Sequence, residues 1–156
     1  MTQMLKNDGD IVRGLGFVTL YSAYLEEQVD KLLFDLGPLE DYDEQKQRWQ
    51  ISRKLKHAQQ LLLRLRSEEL DELAKALDFC LGLFERRNEL VHGRIYASFN
   101  RPDTLLSGRP NVPQREICAE ELYQLANDFW ELRSVVYRPT IFKLNRALAK
   151  YEDGIV

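Results

Sequence analysis

The helical pattern around which this chain is organised ends in the stretch Glu85-Arg86-Arg87-Asn88-Glu89-Leu90-Val91-His92-Gly93. Apolar residues lead up to it with the spacing that places side chains on one face of an α-helix: Leu70, Leu73, Ala74, Leu77, Cys80, Leu81, Phe84 and, after a gap, Val91. The next positions on this face hold Arg87 and Asn88 instead of apolar residues. A buried guanidinium or amide costs free energy unless it is paired or faces a wet cleft, so we expect a functional site at this helix end.

The residue types at this helix end suit an anionic substrate. Asn88 and His92 are four residues apart, so their side chains should lie one above the other on the same face of the helix. Arg87 is about 140° around the helix from His92, but its side chain is long. Gly93 predicts that the helix ends directly after His92. A fixed positive charge, an amide and an imidazole that titrates near neutral pH together favour a phosphodiester as substrate.

An ordinary structural explanation also fits these residues. Arg86 and Arg87 would then be solvated charges that pair with Glu85 and Glu89 nearby on the helix. His92 would only cap the end of its own helix. Solvated surface charges are far more common than functional sites, and short motifs mislead, so the spacing alone leaves this alternative open.

The order Arg87-Asn88, three further residues and then His92 resembles the signature of the HEPN superfamily (higher eukaryotes and prokaryotes nucleotide-binding domains). Members of that family carry the motif late in a helix of an all-α bundle, often before a glycine, and Gly93 stands in that place here. The resemblance covers the motif, its place on the third expected helix and the helical layout of most of the chain. It implies that residues 1–156 form a single all-α, HEPN-like bundle of four to five helices.

The resemblance also implies an activity. In catalytic HEPN proteins the arginine and histidine cleave RNA without a metal ion, and the motifs of two protomers form one site. Arg87, Asn88 and His92 would thus be the catalytic residues of a metal-independent endoribonuclease that acts as a homodimer on RNA and needs no cofactor. His92 would transfer a proton, Arg87 would stabilise the transition state, and Asn88 would orient the phosphate or the histidine. The implied setting is a toxin or a phage-defence effector, with a cognate antitoxin as one candidate partner.

Two features limit what the resemblance carries over. Arg86 also stands at a spacing that the family allows, and only the polar Asn88 favours Arg87 over it. Some HEPN toxins have a tyrosine two residues after the histidine that a partner enzyme modifies, but this chain has Arg94 there, so we do not predict that regulation.

Many HEPN-like domains bind nucleotide or RNA, or dimerise, without catalysis. A non-catalytic module of this kind is the alternative function.

The net charge of −3 argues against a generally basic nucleic-acid-binding protein, but the charge is uneven. Residues 1–50 carry ten acidic and five basic residues, whereas residues 86–115 carry six arginines against Glu89 and Asp103. A local basic patch attracts RNA phosphates. The expected substrate-binding residues are Arg86, Arg94, Arg101 and Arg109. Residues 133–150 hold five basic residues and no acidic one, which fits either a solvated helix face or a second RNA contact.

The rest of the chain predicts further helices around the motif. They are expected from Asp8 or Asp10 to Leu36, from Asp41 to Arg66, from Ser67 to the motif, and from Ala119 onward. Pro139 should kink or break the last helix after Tyr137. The alternating residues 94–99 and the prolines between residues 100 and 114 predict a short β-hairpin or a long ordered loop beside the motif.

Length and composition are those of an ordinary globular domain, with 156 residues, 44% of them hydrophobic and 30% charged. Cys80 and Cys118 do not form a disulfide framework and have no neighbours at metal-ligand spacing, which favours a reduced, cytoplasmic setting without a metal. The first eight residues lack the apolar core of a signal peptide, and no apolar run approaches the length of a membrane span. We therefore expect no membrane association.

Overall fold

A computed structural model describes residues 5–98, 101–108, 111 and 113–154 of the chain. These residues are mostly helical, with a small antiparallel sheet after the motif. The elements in chain order are α1 (Ile11–Asp35), α2 (Glu44–Gln47), α3 (Ile51–Leu65), α4 (Asp71–Val91), β1 (Arg94–Ser98), β2 (Arg101–Leu106), β3 (Glu116–Ile117), α5 (Ala119–Pro139) and α6 (Asn145–Glu152). The mostly helical character is confirmed, and of the two alternatives predicted after the motif, a short β-hairpin or a long ordered loop, the structure has antiparallel strands.

The second expected helix is interrupted, so its prediction as one continuous element was wrong. Between α2 and α3, Gln50 adopts an extended backbone with φ −62° and ψ 148°. This break turns Trp49 back over α3, where its ring lies 5.3 Å from the His57 ring and 3.9 Å from the Arg53 guanidinium. The basic stretch around His57, residues 53–57, predicts a surface position for this histidine, but its side chain is only 13% exposed. The extended backbone at Gln50 and the packing of the Trp49 indole on α3 thus occur together where the helix is interrupted.

The third expected helix begins with a 3₁₀ turn, Glu68–Leu70, before α4. Ser67 has the extended backbone of a capping residue, but its side chain makes no capping hydrogen bond. The acidic residues that follow pair instead with the basic segment 133–150. Glu72 lies 3.4 Å from Lys143, and Glu69 lies 3.4 Å from Arg146 and 3.5 Å from Lys150. Three of the five basic residues in that segment are thus already paired.

Pro139 ends α5 two residues later than predicted. The helix continues through Pro139, and a π-helical segment, Thr140–Leu144, then leads into α6. The helical path therefore continues past the proline, and the change after Pro139 is one from α to π geometry in place of a break after Tyr137.

Contacts divide the chain into two compact units, each made of two separate stretches of sequence. The first unit comprises residues 1–23 and 82–130 and therefore contains the motif and the sheet. Its core includes Phe84 and Phe129, whose rings lie edge to face at 5.2 Å. The other fully covered side chains of this core include Val18, Leu90, Leu105, Ile117, Leu122, Leu125 and Ala126.

The second unit comprises residues 24–81 and 131–156. Its core is rich in leucine, and one charged side chain lies within it. The Lys54 ammonium, 5% exposed, is 2.8 Å from Asp30 and 3.8 Å from Glu26. The Tyr42 hydroxyl donates a hydrogen bond to the same Asp30. These partners offset the cost of burying the lysine charge.

The sheet has the strand order β1-β2-β3, and both pairs are antiparallel. Ile95 pairs with Leu105, which pairs with Ile117, and since Leu105 and Ile117 are buried, this row faces the core. Alternation along β1 then places Arg94 and Tyr96 on the outer face, where both are exposed. β3 was not predicted, because two residues carry no readable alternation.

Candidate functional site

The motif lies at the end of α4, as its spacing predicts. Arg87 and Asn88 belong to the helix, which ends at Val91, and His92 is the turn residue before β1. The three side chains differ in burial: Arg87 and Asn88 are half-buried, whereas His92 is exposed. The helix end therefore presents an imidazole to solvent and keeps the arginine closer to the protein.

Gly93 ends the helix for a different reason from the one expected. A glycine that terminates a helix often adopts the left-handed conformation, but Gly93 does not. The space around it explains the residue instead. A Cβ at this position would lie 2.5 Å from the Leu106 carbonyl oxygen and 2.9 Å from Leu105 Cδ1. Glycine is required because β2 passes directly over the end of α4.

Gly108 makes a second close approach to the same helix end. A Cβ added there would lie 2.1 Å from the carbonyl oxygen of His92. The Gly108 amide donates a long hydrogen bond, 3.5 Å, to the carbonyl of Glu89. Beside it, the Ser107 amide donates to the Arg115 carbonyl, and the Arg115 amide donates to the Ser107 hydroxyl, both at 3.0 Å. The backbone that carries His92 is thus held by the chain that follows β2.

Arg87 is held by an aromatic contact and not by a carboxylate. Its guanidinium lies over the Phe84 ring, 5.3 Å from the ring centre. Its Nε atom is buried and has no hydrogen-bond partner. Among the described residues, no acidic side chain forms an ion pair with Arg87. The positive charge at the helix end is therefore not neutralised by any described group.

Asn88 and His92 differ from Arg86 in being unpaired among the described residues. Neither side chain makes a hydrogen bond to a residue within the part of the chain that the structure describes. Their four-residue spacing places them on neighbouring turns, with Asn88 partly covered and His92 open to solvent. Both side chains keep their full hydrogen-bonding capacity for a ligand.

Arg86, the other arginine at a permitted spacing, is occupied by acidic residues of α5. Its guanidinium lies 4.0 Å from Glu121 and 3.8 Å from Asp128. This pairing agrees with the choice of Arg87 as the motif arginine. It also means that Arg86 would have to leave two carboxylates to contact a substrate.

A charge cluster beside the motif was missed by the sequence analysis. Arg115 donates from Nε to Glu89 at 2.9 Å, and from Nη1 and Nη2 to the two oxygens of Glu121 at 2.8 and 2.6 Å. Glu89 lies within the motif, between Asn88 and His92. These hydrogen bonds lower the pKa of Glu121 below its usual value and raise that of Arg115. One arginine thereby joins α4, the start of β3 and the first turn of α5.

The Glu121 carboxylate is expected to make stability depend on pH. Because its folded-state pKa is lowered, its contribution is present above the ordinary value of 4.5 and is lost as the pH falls through the folded-state pKa. At pH near neutrality, Glu121→Gln should reduce the free energy of unfolding by about 1 kcal/mol. Denaturant titrations of both proteins should converge as the pH is lowered. A difference that persists unchanged in acid would contradict this assignment.

Of the remaining candidate arginines, the structure describes the side chain of Arg94 but not those of Arg101 and Arg109. Arg94 is exposed on the outer face of β1 and forms no ion pair with a described residue. Arg101 begins β2, but only its backbone is described. Arg109 lies outside the described residues. Tyr96, two residues beyond Arg94 on the same face, is 50% exposed and adds an aromatic surface there.

Comparison with known proteins yields no relative. No protein-family model, curated protein or solved structure matches the chain. Among the described residues, no three His, Cys, Asp or Glu side chains are grouped so that they could hold a metal ion. Every described helix is too short or too polar to cross a lipid bilayer.

Proposed function

We propose that this chain is a HEPN-type, metal-independent endoribonuclease in which Arg87, Asn88 and His92 act on an RNA phosphodiester. The observation that carries the proposal is the arrangement at the end of α4. An arginine without a carboxylate partner among the described residues, an amide and an exposed imidazole lie together on one short stretch of backbone. These groups suit phosphodiester cleavage, because an imidazole can transfer a proton and an arginine can stabilise the negative charge on the phosphate.

In the proposed reaction, His92 removes the proton of a ribose 2′-hydroxyl. The 2′-oxygen attacks the adjacent phosphorus, and the bond from phosphorus to the 5′-oxygen breaks. The leaving 5′-oxygen takes up a proton, so the products are a 2′,3′-cyclic phosphate and a 5′-hydroxyl. Arg87 stabilises the charge that builds on the phosphate oxygens, and Asn88 orients the phosphate or His92.

The proposal includes a homodimer. One histidine cannot at the same moment remove the 2′ proton and protonate the leaving oxygen, so a second copy of the motif would supply the missing group. Two-fold symmetric dimers are also the commonest oligomers. A HEPN-like bundle of four to five helices, a cytoplasmic location, a toxin or phage-defence setting and a cognate antitoxin belong to the same proposal.

The positive charges around the motif would guide RNA to it. Arg94 is exposed two residues beyond His92, Arg101 begins β2 of the same hairpin, and Arg109, which lies outside the described residues, follows in the sequence. Tyr96 offers a ring on which a base would stack beside Arg94. Because phosphate contacts release counterions, RNA affinity should fall steeply as salt is raised.

A growth assay tests the proposal. Expression of the native chain should slow growth of the host, because cellular RNA is cleaved, whereas the double variant Arg87→Ala/His92→Ala should be harmless at equal protein level. The matched control is Arg13→Ala/His57→Gln, which removes an arginine and a histidine elsewhere. That control should remain toxic. Equal toxicity of the native chain and the motif double variant would refute the proposal.

The alternative is a non-catalytic module that binds RNA or dimerises. The contact between Arg87 and Phe84 fits it, because it gives the arginine a structural role that requires no reaction. Such a module would bind single-stranded RNA without breaking it. RNA that is bound but recovered intact would therefore favour the alternative.

A further inference from the structure

Glu89 poses a problem for a phosphate site at His92. It precedes His92 by three residues, and His92 directly follows the last residue of α4, so the two side chains leave the backbone about one helical turn apart. A free carboxylate there would pair with the imidazole when the imidazole is charged, and it would repel an approaching phosphate. The carboxylate is not free, however. It is 18% exposed and is held by the Arg115 Nε at 2.9 Å.

The other charged groups around Glu89 belong to the same cluster. Arg115 is also bound to Glu121, whose carboxylate lies 4.0 Å from Arg86, and Arg86 lies 3.8 Å from Asp128. Acidic and basic side chains therefore alternate along this cluster. In order from the motif, they are Glu89, Arg115, Glu121, Arg86 and Asp128. His92 is not part of it. The geometry directs the carboxylate of Glu89 toward Arg115.

We propose that Arg115 is a positioning residue that holds the Glu89 carboxylate away from His92 and partly neutralises its charge, so that His92 is open to a substrate phosphate. This inference rests on the proposed ribonuclease function. It assigns a role to a residue 26 positions from Glu89 in the sequence. Loss of Arg115 would free Glu89 to engage the imidazole and would add a negative charge where the phosphate must bind.

The experiment compares Arg115→Ala, Glu89→Gln and the double variant Arg115→Ala/Glu89→Gln. Two quantities are measured: kcat/KM for RNA cleavage across the pH range in which histidine titrates, and affinity for a non-cleavable 2′-O-methyl RNA. Arg115→Ala should lower both about tenfold or more, and the limb of the pH profile due to His92 should move about one pH unit higher. Glu89→Gln alone should keep cleavage. In the double variant it should restore both quantities and return the limb to its original pH.

Two controls separate positioning from folding. Arg13→Ala removes another arginine of the first unit that bridges two carboxylates, Asp8 and Asp10, and it should change neither quantity. Arg115→Gln, which keeps a polar side chain but removes the charge and the guanidinium that binds both carboxylates, replaces Arg115→Ala if thermal melting shows that the alanine variant does not fold. It should show the same loss and the same rescue by Glu89→Gln.

The outcomes distinguish this inference from the proposed function. A loss that Glu89→Gln does not rescue, with an unmoved pH limb, would overturn the role of Arg115 and leave the ribonuclease intact. Cleavage that persists in a His92→Gln variant would overturn the ribonuclease, while RNA binding that still depends on Arg115 through Glu89 would support the positioning role. A native chain that neither cleaves nor binds RNA would overturn both.

Discussion

Replacing His92 with glutamine should reduce RNA cleavage by about 10²–10⁴-fold, the range typical for loss of a general acid–base group. The imidazole is exposed, and its side chain makes no hydrogen bond to a described residue, so the substitution should leave the free energy of unfolding nearly unchanged. Glutamine keeps similar size and polarity but cannot carry the proton. Cleavage rates on a defined single-stranded RNA and a thermal melt of the same sample measure both effects.

The chain provides its own control, because it has two histidines. His57 lies against Trp49 and 3.4 Å from Glu40 in the second unit, so His57→Gln should cost some stability while leaving cleavage unaffected. The two variants should therefore affect different properties: His92→Gln should lower the cleavage rate, and His57→Gln should lower the free energy of unfolding. If His57→Gln abolishes cleavage and His92→Gln does not, the site has been placed at the wrong histidine.

Substitution of Gly108 by alanine should destabilise the fold by about 3 kcal/mol. The added methyl group would lie 2.1 Å from the carbonyl oxygen of His92, and since that atom belongs to the backbone it cannot rotate away. Either the segment after β2 or the end of α4 must shift. The shift would displace His92 itself, so cleavage should also fall. Urea denaturation measures the loss of stability.

Gly16→Ala is the matched control for this substitution. Gly16 lies within α1, and a Cβ added there would meet no atom within 4 Å. Because alanine is the better helix former, this variant should be more stable than the native chain by about 0.5–1 kcal/mol. Equal stability of the Gly108→Ala variant and the native chain would mean that the segment after β2 does not lie against the His92 carbonyl as described.

The helices of this fold were largely readable from the sequence because their apolar residues repeat with helical spacing. α1 and α5 begin within a few residues of their predicted starts for this reason. The break before α3 was not readable. It depends on Trp49 reaching back to Arg53 and His57, a contact between side chains that no local propensity encodes. Tertiary packing overrode the local preference there.

For the candidate site, spacing predicted the position of the motif but not its surroundings. Arg87, Asn88 and His92 lie at the end of α4, as expected from the sequence order. The hydrogen bond from Arg115 to Glu89 joins residues that are 26 positions apart, and no sequence pattern identifies Arg115 as the partner of Glu89. Gly93 was expected to end the helix by its backbone conformation, whereas in the structure a glycine is needed there because Leu105 and Leu106 of β2 leave no space for a side chain. Close approach between segments can be seen only once the hairpin has folded over the helix.

The most direct measurement is cleavage of end-labelled RNA by the purified chain in excess EDTA, followed by identification of the new ends. Cleavage should continue without a metal and leave a 2′,3′-cyclic phosphate and a 5′-hydroxyl, and Arg87→Ala and His92→Gln should each strongly reduce the yield of these products. Fragments with 5′-phosphate ends, cleavage that EDTA stops, or full activity in both variants would contradict the proposed function.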